Sequence, residues 1–149
     1  MVTPPGMAVR AIRGAITVDS DEPCAVKAAT RELLAAMVER NGLHGDDLVS
    51  AIFTVTHDLT STFPARAAHD MGWTDVPLLC ALEIPVPGAL PRCVRVMLHA
   101  TSDRPRSAIQ HVYLHGAVVL RPDLVAPAPT PPATPRDVYR DPPVATHDA

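Results

Sequence analysis

Arg13, Arg95 and Arg121 each lie inside an apolar stretch, MAVRAIRGAI, CVRVML and AVVLRPDL. A guanidinium keeps its proton and loses hydration when enclosed, so each needs an anion to meet it or a route back to water. Glu83, in LLCALEIPV, is the one acid set in a comparable apolar run. Three cations against one anion points to an anionic ligand. For any single arginine two plainer readings stand beside this one: a stem laid along apolar surface with its head in solvent, or a structural ion pair. With a tyrosine as a further donor, the set can bind a dicarboxylate, orient it and stabilise developing charge. No Gly-rich phosphate loop, Walker sequence, HExxH or GxSxG elbow accompanies it, and no proton relay is evident. A site of this composition suits a unimolecular rearrangement.

Other chemistry-bearing residues carry less. His111 and His115 are four apart, but HVYLH is β-prone and has no third ligand beside it, so no metal site is expected. Cys80 needs a histidine and an electropositive setting to act as a nucleophile; packing, with a weak S–H bond to a neighbouring carboxylate, is the simpler role.

The elements that must position these residues follow from periodicity. Residues 7–18 alternate as a strand, with Met7, Val9, Ala11, Arg13 and Ala15 on one face. SDEPCAVKAATRELLAAMVERNG reads as a helix capped by Ser20 or Asp21, with acids in its first turn and Gly42 at its end. Its Val26, Thr30, Leu33, Leu34, Met37 and Val38 form a packing stripe. A strand over Leu48–Thr56, a turn through His57, Asp58 and Leu59, and a short helix in FPARAAHDMG follow. Strands are expected over Val76–Ile84 and Arg92–Thr101, joined by the loop PVPGALP. On the second of these, Cys93, Arg95, Met97 and His99 share a face. Pro105 opens a short helix through Gln110, and Val112–Leu120 closes the domain as a strand. The order implies an α+β domain: a mixed β-sheet with helices packed on one face. Its other face is also apolar, and closure into a ring of copies is the economical cover for so small a chain.

The 149 residues suffice for one domain with a tail. Residues 1–6 read as a leader, 7–124 as the domain, and 125–149, rich in proline and without apolar periodicity, as a disordered tail, a lid or a tether for a partner. A net charge of −3 and 3% aromatic residues disfavour nucleic-acid binding. No run approaches the roughly 20 apolar residues of a membrane span, and the N-terminus lacks a secretory apolar region, so a cytoplasmic protein is expected. Cys24, Cys80 and Cys93, odd in number and without CxxC spacing, agree with a reducing compartment.

Five segments, RAIRGAITV, THDLTSTFPARA, VPLLCALEI, GALPRCVRVML and HVYLHGAVVLRPDL, resemble in order and spacing the monofunctional chorismate mutases of the Bacillus type, the AroH class. The resemblance runs from about residue 8 to 124. It implies the Claisen rearrangement of chorismate to prephenate in aromatic amino-acid biosynthesis, with no cofactor or metal. It also implies a homotrimer, a pseudo-α/β-barrel with sites at the subunit interfaces. Carried over motif by motif, Arg95 would face the ether oxygen, Glu83 the ring hydroxyl with Cys80 beside it, and Arg13 and Tyr113 the carboxylates. Phe63, Ala65 and Leu120 would form apolar walls, with Arg121 and Arg66 at the rim. The chain departs from the pattern at His69, where an arginine can occur, and at Leu79, where a threonine can. Two competing readings are a non-catalytic small-carboxylate sensor or assembly subunit, and an imine or enamine hydrolase on a related trimeric fold.

Overall fold

The computed structural model describes residues 6–124. Of the expected leader only Gly6 lies within them, and the proline-rich segment from residue 125 lies outside. Five strands, β1 (Ala8–Thr17), β2 (Leu48–Val55), β3 (Leu78–Leu82), β4 (Cys93–Ser102) and β5 (Val112–Leu114), form one sheet in the order β3-β2-β4-β1-β5. The central strand β4 pairs antiparallel with β1 and β2, while β5 and β3 add parallel outside them. Helices α1 (Pro23–Arg40) and α2 (Ala65–Asp70) pack against the same side. The architecture is therefore α+β with a mixed sheet, as the periodicity implied.

Alternation along the central strands divides core from site. Val94, Val96, Leu98 and Ala100 of β4 are buried beneath the helices with Ile12 and Ile16 of β1 and Phe53 of β2. Val26, Leu33, Leu34 and Met37 of α1 close over them, matching the expected stripe. Gly14 lets α1 approach: a Cβ there would overlap Met37 Sδ and sit 3.1 Å from Leu33 Cδ1.

Three local expectations differ from the structure. Helix α1 is not capped by Ser20 or Asp21; Glu22 occupies the N-cap position without a side-chain cap bond, and no acid lies in the first turn. Pro23 sets the start of the helix: at the first helical position its fixed φ is already suited and its missing N–H leaves no donor unpaired. Asp21 instead accepts bonds from the backbone of Thr60 and Ser61 and ties the following loop to the helix entry. At the other end the Gly42 expectation holds: with φ +60° it lets its own N–H reach Glu39 O and that of Leu43 reach Val38 O, which satisfies the last carbonyls. The segment after Pro105 is a single 3₁₀ turn, Arg106–Ala108.

The final strand is also shorter than expected. It ends at Leu114, and His115–Leu120 is a 3₁₀ helix. His115 takes φ +52°, and Gly116 donates its N–H to Thr17 Oγ1 at 2.9 Å, turning the chain across the end of β1. Ala117 then buries beside Ala15 and Cys93, with Leu90, Tyr113 and Leu120 around them. This small cluster lies on the sheet face away from the helices and draws the last segment toward Arg95.

Candidate active site

Parity places the chemistry. Arg95 pairs with Ala15 on β1 and with Thr54 on β2, Arg13 pairs with Met97, and Tyr113 pairs with Ala15, so all three polar side chains issue from the open face. The arginines embedded in apolar sequence are thus not enclosed in the core. Arg13 and Arg95 are exposed in the single chain and Arg121 is half-buried. Arg13, Thr54, Arg95, Met97 and Tyr113 line one depression of about 230 Å³.

Glu83 follows the end of β3, its N–H donating to Val55 O at 2.9 Å. Its Oε1 lies 3.3 Å from Arg95 Nε and accepts a bond from Thr54 Oγ1 at 2.5 Å. Arg121 is also met by a carboxylate: its Nε and Nη2 form a fork with Asp123, both bonds 3.0 Å long. That fork raises the Arg121 pKa above its ordinary value and holds the Asp123 carboxyl below its own. Arg13 has no acidic partner among the described residues. Two residues of this constellation, Thr54 and Asp123, were not foreseen. Alternation along β2 marks Thr54, and RPDL places Asp123 two residues from Arg121, close enough for a local fork.

Cys80 stands elsewhere. It pairs with Phe53, whose side chain is in the helix-side core, so Cys80 faces away from Arg95. The single chain does not set it beside Glu83. It lines a broader cleft of about 610 Å³ at the β3 edge, together with Phe63, Arg66 and Leu82. Ala65 opens α2 next to this cleft and packs on the core, while Leu120 belongs to the small open-face cluster near Tyr113. His69 and Leu79 are exposed, Leu79 on the open-face side of β3 opposite Ile52. The expected residues thus fall into two groups in one chain: Arg13, Glu83, Arg95, Tyr113, Leu120 and Arg121 in one, Phe63, Ala65, Arg66 and Cys80 in the other.

Cys93, two positions before Arg95 in β4, is buried; burial pushes its thiol pKa up, against the opposing pull of the Arg95 charge. It is packing for the site rather than a nucleophile. His111 and His115 have separate partners, Arg13 N–H and the Glu32 carboxylate respectively. No group of three His, Cys, Asp or Glu side chains among the described residues is arranged to hold a metal ion.

Comparison with known proteins identifies the family. The family model described as chorismate mutase type I matches residues 9–124. The chain is 56% identical over 117 residues to chorismate mutase AroH of Thermus thermophilus, covering 78% of this chain and 96% of the relative. It is 42% identical over 119 residues to chorismate mutase AroH of Bacillus subtilis, covering 79% and 94%. A solved chorismate mutase from Clostridium thermocellum superposes with a TM-score of 0.73 at 52% identity, covering 74% of this chain and 98% of that one. An arginine–glutamate pair on an open sheet face, inside a match that spans the whole described domain, leads to one assignment: the chain belongs to the type I, AroH-class chorismate mutases.

Proposed function

We propose that the open-face constellation converts chorismate to prephenate by selecting a compact conformer and stabilising charge on the ether oxygen. The rearrangement breaks one C–O bond and forms one C–C bond within a single molecule, so the protein needs to move no proton. What accelerates it is fixed positive charge where negative charge grows. Arg95 takes this role. Glu83 engages its Nε edge, which orients the guanidinium plane and leaves the terminal nitrogens to meet the ether oxygen. Glu83 also accepts from the ring hydroxyl, and Arg13 and Tyr113 hold the carboxylates, with Arg121 exchanging Asp123 for substrate at the rim. Charge-assisted contacts at both ends of the molecule hold the chair-like conformer that the reaction requires.

The observation that carries this reading is the common face of Arg13, Thr54, Arg95 and Tyr113, in which Arg13 has no acidic partner among the described residues. The assembly follows from the second group of residues. Three copies close into a trimeric pseudo-α/β-barrel, so that the cleft of Phe63, Ala65, Arg66 and Cys80 in one copy completes the Arg95 face of the next. Support comes from Val9, Ile52 and Leu79, large apolar side chains of the open face that remain 57%, 39% and 61% exposed in one chain. We place the enzyme in the cytoplasm. Its three free cysteines fit a reducing compartment, and no described helix is long and apolar enough to cross a membrane.

The test is loss of chorismate absorbance with purified protein, read beside sedimentation. Turnover by a trimer is expected. A folded trimer that leaves the absorbance unchanged overturns the reading.

A further inference from the structure

Strand β5 accompanies β1 for only three residues, from Gly14 opposite Val112 to Ile16 opposite Leu114. One position before this ladder, at Arg13, no described strand lies on that side of β1, and the backbone N–H would lack an acceptor other than solvent. His111, one position before Val112, supplies it: Nδ1 accepts from Arg13 N–H at 3.0 Å. An imidazole can accept at Nδ1 only when its proton is on Nε2 and the ring is neutral; an imidazolium carries protons on both nitrogens.

We propose that His111 is a positioning residue for Arg13, its neutral ring extending the β1–β5 ladder by one bond and so fixing the arginine that holds a substrate carboxylate. The proposal rests on the reading of Arg13 given above. Protonation of the ring removes the bond and sets a second cation against the arginine it positioned.

The surroundings keep the ring neutral at ordinary pH. The charges of Arg13 on β1 and of Arg121, the latter already forked to Asp123, act on it. It also lines a cavity of about 340 Å³ with Arg10 and Arg106, and no carboxylate is among the described residues of that lining. Burial first, then the charges of Arg13 and Arg121, hold its pKa below the ordinary 6.5. A depressed histidine pKa favours the neutral folded state, so the arrangement is intact above about pH 6.5 and is lost as pH falls through the lowered value.

The chemistry separates positioning from a structural role. Arg13 binds a carboxylate that does not react, so its displacement weakens substrate binding and raises KM, and kcat falls as well where the looser substrate leaves the chair-like conformer. A structural histidine would change stability and leave KM alone.

The test compares wild type with His111→Asn, whose Oδ1 can accept the same bond and does not titrate, and with His111→Leu, which cannot accept. Steady-state kinetics with chorismate between pH 5 and 8 are read beside histidine ¹⁵N spectra of wild type. Expected are an Nε2-protonated ring at neutral pH and a wild-type KM that rises toward the acid end of the range, as the ring titrates below its ordinary value. His111→Asn should show no such rise, and His111→Leu a KM increased about tenfold at every pH. A proton on Nδ1 at neutral pH, or an acid limb unchanged in His111→Asn, overturns the proposal. So does a wild-type KM in His111→Leu. Should His111→Leu fail to fold, the spectra and the His111→Asn profile decide alone. Absence of chorismate turnover in wild type would defeat the functional reading instead, and the ring spectrum would still judge the contact with Arg13.

Discussion

Arg95 Nε and Glu83 Oε1 stand 3.3 Å apart across a strand that belongs to neither of them. Glu83 follows β3, Arg95 lies on β4, and β2 between them contributes Thr54, whose hydroxyl donates to the same carboxylate oxygen. The Arg95 side chain is 49% exposed, so the ion pair adds little to the stability of the single chain. Its consequence is orientation: three successive strands fix one guanidinium plane.

Removing that guanidinium should abolish most of the chemistry and little of the fold. Arg95→Ala is expected to lower kcat by about 10²–10³-fold or more, with thermal unfolding close to wild type because the side chain is outside the core. Arg95→Lys should recover little, since a point charge on a flexible stem replaces a planar fork. Near-normal turnover in either variant would remove Arg95 from its assigned place.

Thr54→Val keeps the shape of the side chain and withdraws the donor from Glu83. One such bond contributes about 1 kcal/mol, so kcat/KM should drop several-fold to tenfold, and Thr54→Ser should restore most of it. Equal kinetics for Val and Ser would show that Glu83 needs no help from β2.

Much of this arrangement was legible in the chain. Alternation in MAVRAIRGAI and CVRVML already separated Arg13 and Arg95 from Ile12, Ile16, Val94 and Val96, and the strands observed carry that division. The grouping of Arg13, Glu83, Arg95 and Tyr113 rested on residue type and resemblance; the register that puts Thr54 beside Arg95 is a long-range pairing that local pattern does not specify. The expected strand through Leu120 failed for a related reason. HGAVVL has β-prone composition, but the contact of Gly116 with Thr17 and the burial of Ala117 under Ala15 and Cys93 override it. Cys80 is instructive in the other direction: it stands three positions before Glu83, an odd step that reverses the face of an extended strand.

Acid should weaken the fold through Asp58. Burial raises the pKa of its carboxyl, but bonds from the Thr56 hydroxyl and the Arg92 N–H outweigh that, and the net value lies below the ordinary 3.8. A depressed carboxylate contributes stability above its unfolded pKa and loses it as pH falls through the folded one. Urea midpoints of wild type should therefore decline below about pH 4, and Asp58→Asn should be less stable at neutral pH and flatter in that range. Parallel acid limbs in the two proteins would show that Asp58 is not coupled to folding.

Gly14→Ala should act through α1 rather than through the site. The added methyl meets Met37 and Leu33, and overpacking of this kind costs about 1–3 kcal/mol. A denaturation midpoint equal to wild type would mean that the helix moves aside without penalty. In a Met37→Ala background, where there is room, the same methyl should cost less than it does in wild type, a non-additivity read from the double-mutant cycle.

The opposite facing of Cys80 and Arg95 on one sheet has a genetic reading. In the proposed ring, a chain without the Arg95 guanidinium still offers a sound cleft, and a Phe63→Ala chain still offers a sound charged face. Refolded together, two such defective chains would meet in some interfaces with both intact halves, roughly a quarter of them for random mixing in a closed ring. Turnover should reappear in the mixture and in neither parent, and a mixture as inactive as its parents would locate both halves within one chain. Inheritance of the activity would then follow the joints between copies, and two defective alleles could complement each other.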